Sequence, residues 1–261
     1  MRIALGLEYE GSRFCGWQSQ VGGGAVQDAV EAAISRIADA TTRVVCAGRT
    51  DAGVHALAQV VHFDTQAPRP NSAWVRGVNA LLPEGVAVRW AQPVPDEFHA
   101  RFSARGRHYR YFLLNRPERP GLMARRVGWF HRHLAEDAMC EAAALLLGEH
   151  DFSAFRAVEC QAKTPIKTLR RAAVVRRGDM LVFDFEASAF LHHMVRNLVG
   201  ALVYVGKGAH PPSWVGELLA GRDRARAAPT FEACGLYFAG VDYDPAWKLK
   251  VGAGDTALVL P

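Results

Sequence analysis

Arg43-Val44-Val45-Cys46-Ala47-Gly48-Arg49-Thr50-Asp51-Ala52-Gly53-Val54-His55, running on into Leu57 to Asp64, decides how this chain is read. Arg43 to Ala47 is a short β-branched strand, and Leu57 to Asp64 is a second apolar strand. Between them one carboxylate sits beside an arginine and between two glycines. Glycine lets the backbone turn and approach a ligand closely, and a loop anchored by strands on both sides holds a reactive group rigidly. The plain alternative is an Asp-Ala-Gly turn with an incidental salt bridge. On spacing alone that plain reading is the stronger, so the rest of the chain has to decide.

Working outward, Ile3, Leu5 and Leu7 alternate as a half-buried strand should. Val26, Ala29, Val30, Ala33, Ile34 and Ile37 recur at helical spacing. Asn71 is placed to cap a helix carrying Trp74, Val75, Val78, Leu81 and Leu82, with Pro83 ending it. Val86, Val88 and Trp90 alternate again. The order βαββαβ is ferredoxin-like. The second half repeats it without obvious sequence similarity. His108 to Leu114 is a strand, Leu134 to Leu147 a helix, and Leu169 to Arg176 with Met180 to Glu186 a hairpin turned at Arg177-Gly178-Asp179. Ala189 to Val205 is a helix, an extra helix lies near Ser213 to Ala220, and Leu236 to Val241 is the last strand. The expectation is an α/β (α+β) protein of two ferredoxin-like halves, 1–104 and 105–261, joined through a connection marked by Pro93 and Pro95. Their antiparallel sheets would run edge to edge around a central cleft.

The chain has 261 residues, half of them apolar, which suffices for one or two cores without staples. Its five cysteines are scattered and form no CxxC pair, which argues against a disulfide framework or a thiolate zinc site. The apolar run at the start is broken by Glu8 and is too short for a signal peptide. The longest apolar stretch, Leu198 to Val205, is far below a membrane span. A cytoplasmic protein with no membrane association is expected.

The formal charge is only +5, but its distribution is uneven. Nine arginines (101, 105, 107, 110, 116, 119, 125, 126 and 132) lie between Glu97 and Arg132, against Glu97 and Glu118 alone. Lys163, Lys167, Arg170, Arg171, Arg176 and Arg177 form a second cluster, and Arg222, Arg224 and Arg226 a third. Such clusters are either solvated basic faces or phosphate-binding surfaces, for which the guanidinium fork is suited. Arg101, Arg105, Arg107, Arg110 and Lys163 are the candidates for contact with a polyanion backbone.

Gly22-Gly23-Gly24 lacks both the GxGxxG spacing and the lysine of a P-loop, and reads as a flexible turn. His192 and His193, if helical, point about 100° apart and do not share a face, which argues against a metal. No GxSxG elbow is present. Asp51 remains the best reactive group. Arg196, set among apolar residues, needs an acidic partner or a phosphate; it pairs either with Asp51 across the cleft or with a separate surface group. Arg107-His108-Tyr109-Arg110-Tyr111-Phe112 interleaves cations with rings. Tyr109 and Tyr111 share one strand face, and are either a base-stacking platform or core tyrosines.

GRTDAGVHA with QVVHFDT resembles the catalytic motif of the tRNA pseudouridine synthase A (TruA) family. Tyr9-Glu10-Gly11 through Phe14-Cys15-Gly16-Trp17-Gln18, the Ala100-Arg101-Phe102-Ser103-Ala104 to Tyr111 block, Cys160-Gln161-Ala162-Lys163-Thr164-Pro165, and Phe190-Leu191-His192-His193-Met194-Val195-Arg196-Asn197 resemble it too, in the family's order. The resemblance implies isomerisation of uridine to pseudouridine at nucleotides 38, 39 and 40 of the tRNA anticodon stem-loop, with no metal or organic cofactor. It implies Asp51 as nucleophile, Arg49 as its loop neighbour, Tyr109 stacked on the target base and Arg196 paired with Asp51. It also implies the pseudouridine synthase fold and a homodimer that cradles tRNA. Two positions depart from the family pattern. Glu10 stands where aspartate is usual, and His192, expected one helical turn before Arg196, stands where tyrosine is common.

Two other classes compete. A non-catalytic RNA-binding protein on the same topology leaves the Asp51 loop unexplained and lacks the RNP1 pattern. A small-molecule enzyme leaves the arginine clusters unexplained.

Overall fold

The computed structural model describes residues 1–250. The chain forms two compact units, one made of Met1–Arg107 with the segment from Tyr237 on, the other of His108–Leu236.

The first unit runs β1 (Arg2–Tyr9), α1 (Val26–Ala38), β2 (Val45–Cys46), β3 (His55–Asp64), a helical segment at 71–79 and β4 (Val86–Val94). β1 lies between β4 and β3, antiparallel to both, and β2 pairs antiparallel with β3. The resulting order β4-β1-β3-β2 is that of a split βαβ unit. β1 is not the half-buried strand its alternation suggests. Ile3, Ala4, Leu5 and Leu7 are all at most 1% exposed. The small residues on its second face admit a covering ring: a Cβ on Gly6 would lie 2.0 Å from Trp90 Nε1.

Asn71 does not cap its helix. The chain is already helical there, and Ala73 N–H donates to Pro70 O at 2.9 Å. Ala73–Gly77 winds as a π turn, which seats Trp74 in the core against Phe63 at 5.2 Å. Leu81 and Leu82 leave the helix, both donating to Val78 O at 3.0 Å.

The second unit contains β5 (Ala104–Asn115, which carries the chain in), β6 (Gly128–Phe130), α2 (Glu136–Ala144), β7 (Gly148–Asp151), β8 (Ile166–Arg177) and β9 (Met180–Ala187). α3 (Met194–Gly206) and α4 (Ser213–Gly221) follow. Strands β5, β9, β8 and β7 lie side by side in that order, with β6 parallel to β5. The β8–β9 hairpin turns as expected at Gly178, where φ is +59°.

The expected helix from Ala189 begins five residues late. His193 takes φ +61° just before it, and Met194 N–H donates to Leu191 O at 3.1 Å. Leu191 is buried from a turn rather than from a helix face, so its apolar spacing imitates helical periodicity. His192 and His193 are therefore not helical. Their ring centroids lie 4.0 Å apart, and the argument from helical separation does not apply to them. Nor does His192 sit one helical turn before Arg196.

β10 (Leu236–Tyr243) was expected to close the second half. Its Tyr237 and Phe238 pair in parallel with His55 and Ala56 of β3, on the edge that also takes β2. Among the described residues no helix is long and apolar enough to cross a membrane.

Candidate active site

The loop from Gly48 to Val54 leaves β2 and enters β3, and nearly every residue flanking Asp51 is fixed by packing or hydrogen bonds. Thr50 is buried, and its Oγ1 lies 2.8 Å from the Tyr9 hydroxyl. Thr50 O accepts from Trp17 N–H at 2.9 Å, and Asp51 O accepts from Val54 N–H at 3.1 Å to close the turn. Gly53 takes φ +80°, which a side chain would resist. The fully buried Gln59 donates to Gly48 O at 2.7 Å. Burial pushes the Tyr9 phenol well above its ordinary range, against the pull of Thr50 and Gln59, so it stays neutral as a hydrogen-bonding partner.

Two glycines of the Tyr9 to Gln18 segment let that segment close on the loop. A Cβ on Gly11 would lie 1.9 Å from Val54 O, and one on Gly16 would lie 2.9 Å from Thr50 O. Gly11 N–H donates to His55 Nδ1 at 3.0 Å, and the His55 ring stacks on Tyr237 at 4.6 Å. Asp51 is half-buried and Arg49 is exposed. Burial pushes the neighbouring Cys46 thiol up to about 12, opposed by the positive charges of Arg49 and Arg101.

Arg101, Arg105 and Arg107 belong to the same unit. Arg101 is exposed, while Arg105 pairs with Asp244. Arg107 faces inward. Its Nη2 donates to Arg101 O at 2.7 Å and Ala47 O at 3.1 Å, tying the strand before the Asp51 loop to the segment before β5.

Tyr109, Arg110, Lys163 and Arg196 belong to the second unit. Tyr109 is half-buried, edge-on to Phe190 at 5.0 Å. Tyr111 is fully buried: its hydroxyl donates to Glu232 O at 2.9 Å, and Gly128 and Gly235 give its ring room. Of the two tyrosines on that strand face, Tyr111 is thus the core residue. Arg110 Nε donates to Asp184 at 2.8 Å. Lys163 is exposed, in a loop held by Arg156, whose Nη2 donates to Cys160 O at 2.6 Å and Ala162 O at 3.0 Å. Arg196 lies in the first turn of α3, where its Nε donates to Phe231 O at 2.8 Å and its own carbonyl accepts from Phe231 N–H at 3.2 Å.

A half-buried carboxylate on so constrained a loop is suited to act as a nucleophile or a base, since little reorganisation accompanies reaction. The sequence model described as tRNA pseudouridine synthase matches residues 7–103 and 142–244, a span that includes this whole loop and the Arg196 turn. The chain belongs to the tRNA pseudouridine synthase family. Members of this family are isomerases. Relatives include a tRNA pseudouridine synthase A of Dechloromonas aromatica, 66% identical over 95% of both chains. Another, from Aromatoleum aromaticum, is 64% identical over 95% of this chain and 94% of its own. A solved archaeal box H/ACA sRNP Nop10-Cbf5 complex aligns over 77% of this chain and 44% of that one, with 13% identity and a TM-score of 0.37, too distant to argue from.

Within this member of the family, the residues that hold the Asp51 loop were read in the sequence only as part of a block resembling the family, with no role assigned to them. Tyr9, Gly11, Gly16 and Trp17 lie far from it in sequence, and no local pattern announces a tertiary hydrogen bond. The signal available was a glycine at each of two positions where neither a turn nor a helix end called for one. Asn197 likewise was read only as the end of a family block, with no role assigned. It is fully buried, donates to Phe155 O at 2.8 Å, and accepts from Thr230 at 2.7 Å and Arg224 at 3.1 Å.

Proposed function

We propose that this chain isomerises uridine to pseudouridine in tRNA, at nucleotides 38, 39 and 40 of the anticodon stem-loop. Asp51 is the nucleophile, acting on a flipped-out base. The observation that carries the reading is the Asp51 loop: a half-buried carboxylate whose neighbours Thr50 and Val54 are fixed on both sides. The names of relatives at 66% and 64% identity support tRNA as substrate.

Pseudouridine formation breaks the bond from ribose C1′ to uracil N1, turns the base, and joins C1′ to C5. A carboxylate serves this by adding to C1′ or to uracil C6, or by taking the C2′ proton. The base must leave its stack at a cost of a few kcal/mol, which stacking and phosphate contacts offset. Tyr109 is the ring assigned to the uracil, and Arg49 and Arg196 are the cations assigned to support the carboxylate. Arg101, Arg105, Arg107, Arg110 and Lys163 are assigned to the RNA backbone; of these Arg101, Arg105 and Lys163 are the exposed ones. A cytoplasmic homodimer completes the reading.

The test is tritium release from unmodified tRNA carrying uridine labelled at C5. Wild type is expected to release it, and Asp51→Ala is not. A wild type that releases none, or a mutant that releases it at the wild-type rate, overturns the reading.

A further inference from the structure

Phe102 is 76% exposed, unusual for so large a ring, and it is not loosely held. It stacks on His99 with centroids 4.2 Å apart and planes 26° from parallel, which leaves its other face open. The Arg101 guanidinium lies 5.6 Å from the ring centroid.

The loop beneath it is hydrogen-bonded at each residue. His99 N–H donates to Ser103 Oγ at 3.0 Å, and Ala100 N–H to the buried His62 Nδ1 at 3.1 Å. Arg101 and Phe102 N–H both donate to His99 Nδ1, at 3.2 and 3.1 Å. Ser103 N–H donates to His99 O at 2.9 Å. Five successive amides are thus committed, and Ala100 O accepts from the Tyr243 hydroxyl at 2.6 Å. Burial, then the charge of Arg2, lowers the His99 pKa, so the ring under Phe102 is a neutral imidazole. The Arg107 guanidinium joins this loop to the strand entering the Asp51 loop through Arg101 O and Ala47 O.

We propose that Phe102 is a stacking platform for an unpaired nucleobase of the RNA substrate, with Arg101 beside it on a phosphate. The inference rests on the RNA-directed reading above. A rigid exposed ring loses little conformational freedom on binding, every nucleobase offers a π face to it, and a flanking guanidinium suits the backbone. Tyr109 stays the ring assigned to the reacting uracil; Phe102 takes a neighbouring base.

The experiment measures affinity for an unmodified tRNA transcript over a salt series, for wild type, Phe102→Ala, Phe102→Leu, Phe102→Trp and Arg101→Gln. Alanine and leucine are expected to weaken binding by about tenfold at every salt concentration. Tryptophan is expected to restore it, with added indole fluorescence that RNA quenches. Arg101→Gln is expected instead to reduce the salt slope by about one. Thermal melts within about 2 °C of wild type show that the exposed substitutions leave the fold intact. Unchanged affinity in Phe102→Ala overturns the proposal, as does a change of oligomeric state without a change of affinity, which makes Phe102 a subunit contact. Tritium release by the same proteins separates the two readings. An active wild type with an unaffected Phe102→Ala removes the platform alone. An inactive wild type whose binding depends on Phe102 removes the isomerase alone, and a wild type that binds no tRNA removes both.

Discussion

The hydroxyls of Tyr9 and Thr50, forty-one residues apart, share a buried hydrogen bond of 2.8 Å directly behind Asp51. Thr50 has no water to turn to if the phenol is removed. Tyr9→Phe is expected to cost about 1 to 2 kcal/mol in urea unfolding and to lower kcat for tritium release by about tenfold, with KM nearly unchanged. Thr50→Val is expected to act alike, and the double mutant to be little worse than either, since both remove one interaction. Full additivity in that cycle would mean that the two hydroxyls do not act as a pair.

Glycines in the first unit divide into those the site needs and those it does not. Gly11→Ala drives a methyl group to 1.9 Å from Val54 O, at the point where the Asp51 loop enters β3. A loss of about 3 kcal/mol and of most activity is expected. Nothing lies within 4 Å of a Cβ on Gly22, and Gly22→Ala is expected to stay within about 0.5 kcal/mol of wild type. Chemical denaturation of the two variants side by side decides this, and equal stabilities would contradict it.

The strands and helices of the first unit were legible because alternation and helical spacing report a buried face directly. The Asp51 loop was legible as a place, through its glycines and flanking strands. The start of α3 was not: Leu191 continues an apolar spacing that the left-handed residue His193 interrupts, and nothing in the residue type demands that conformation. β6 and β7, with three and four residues, are too short to show a period. The role of the side chains behind the loop escaped notice because it lies in partners tens of residues away.

Asn197 is the comparable tie in the second unit. Asn197→Leu keeps the volume but deletes the donor to Phe155 O and the acceptor shared by Thr230 and Arg224. One buried carbonyl and two part-buried groups lose a partner, and a destabilisation of about 2 kcal/mol is expected. Arg196 O and Phe231 N–H are bonded alongside, so protection of the Phe231 amide against hydrogen exchange is expected to fall further than that of β8.

His62 makes the first unit sensitive to acid. Burial, followed by the charges of Arg2 and His99, lowers its pKa to about 4, with Asp64 opposing. Unfolded, it titrates near 6.5, so between those values the unfolded chain binds the extra proton and stability rises with pH. The contribution is complete above about pH 6.5 and is lost as pH falls through about 4. Melting temperatures from pH 7 to 4 are expected to fall for wild type and to fall less steeply for His62→Asn, whose amide oxygen stands where Nδ1 does and can still accept from Ala100 N–H. Parallel curves would remove His62 as the cause.

The return of β10 to the edge of β3 bears on how the chain is born. Phe238, against which Gly48 packs, and Tyr237, which stacks on His55, leave the ribosome almost two hundred residues after the loop they support. The continuous stretch His108–Leu236 is therefore complete as a folding unit before the earlier one has all its parts. A nascent chain stopped short of Tyr237 carries every residue of the Asp51 motif and lacks the strand that seats it, so the loop takes its packed form only after β10 has been made.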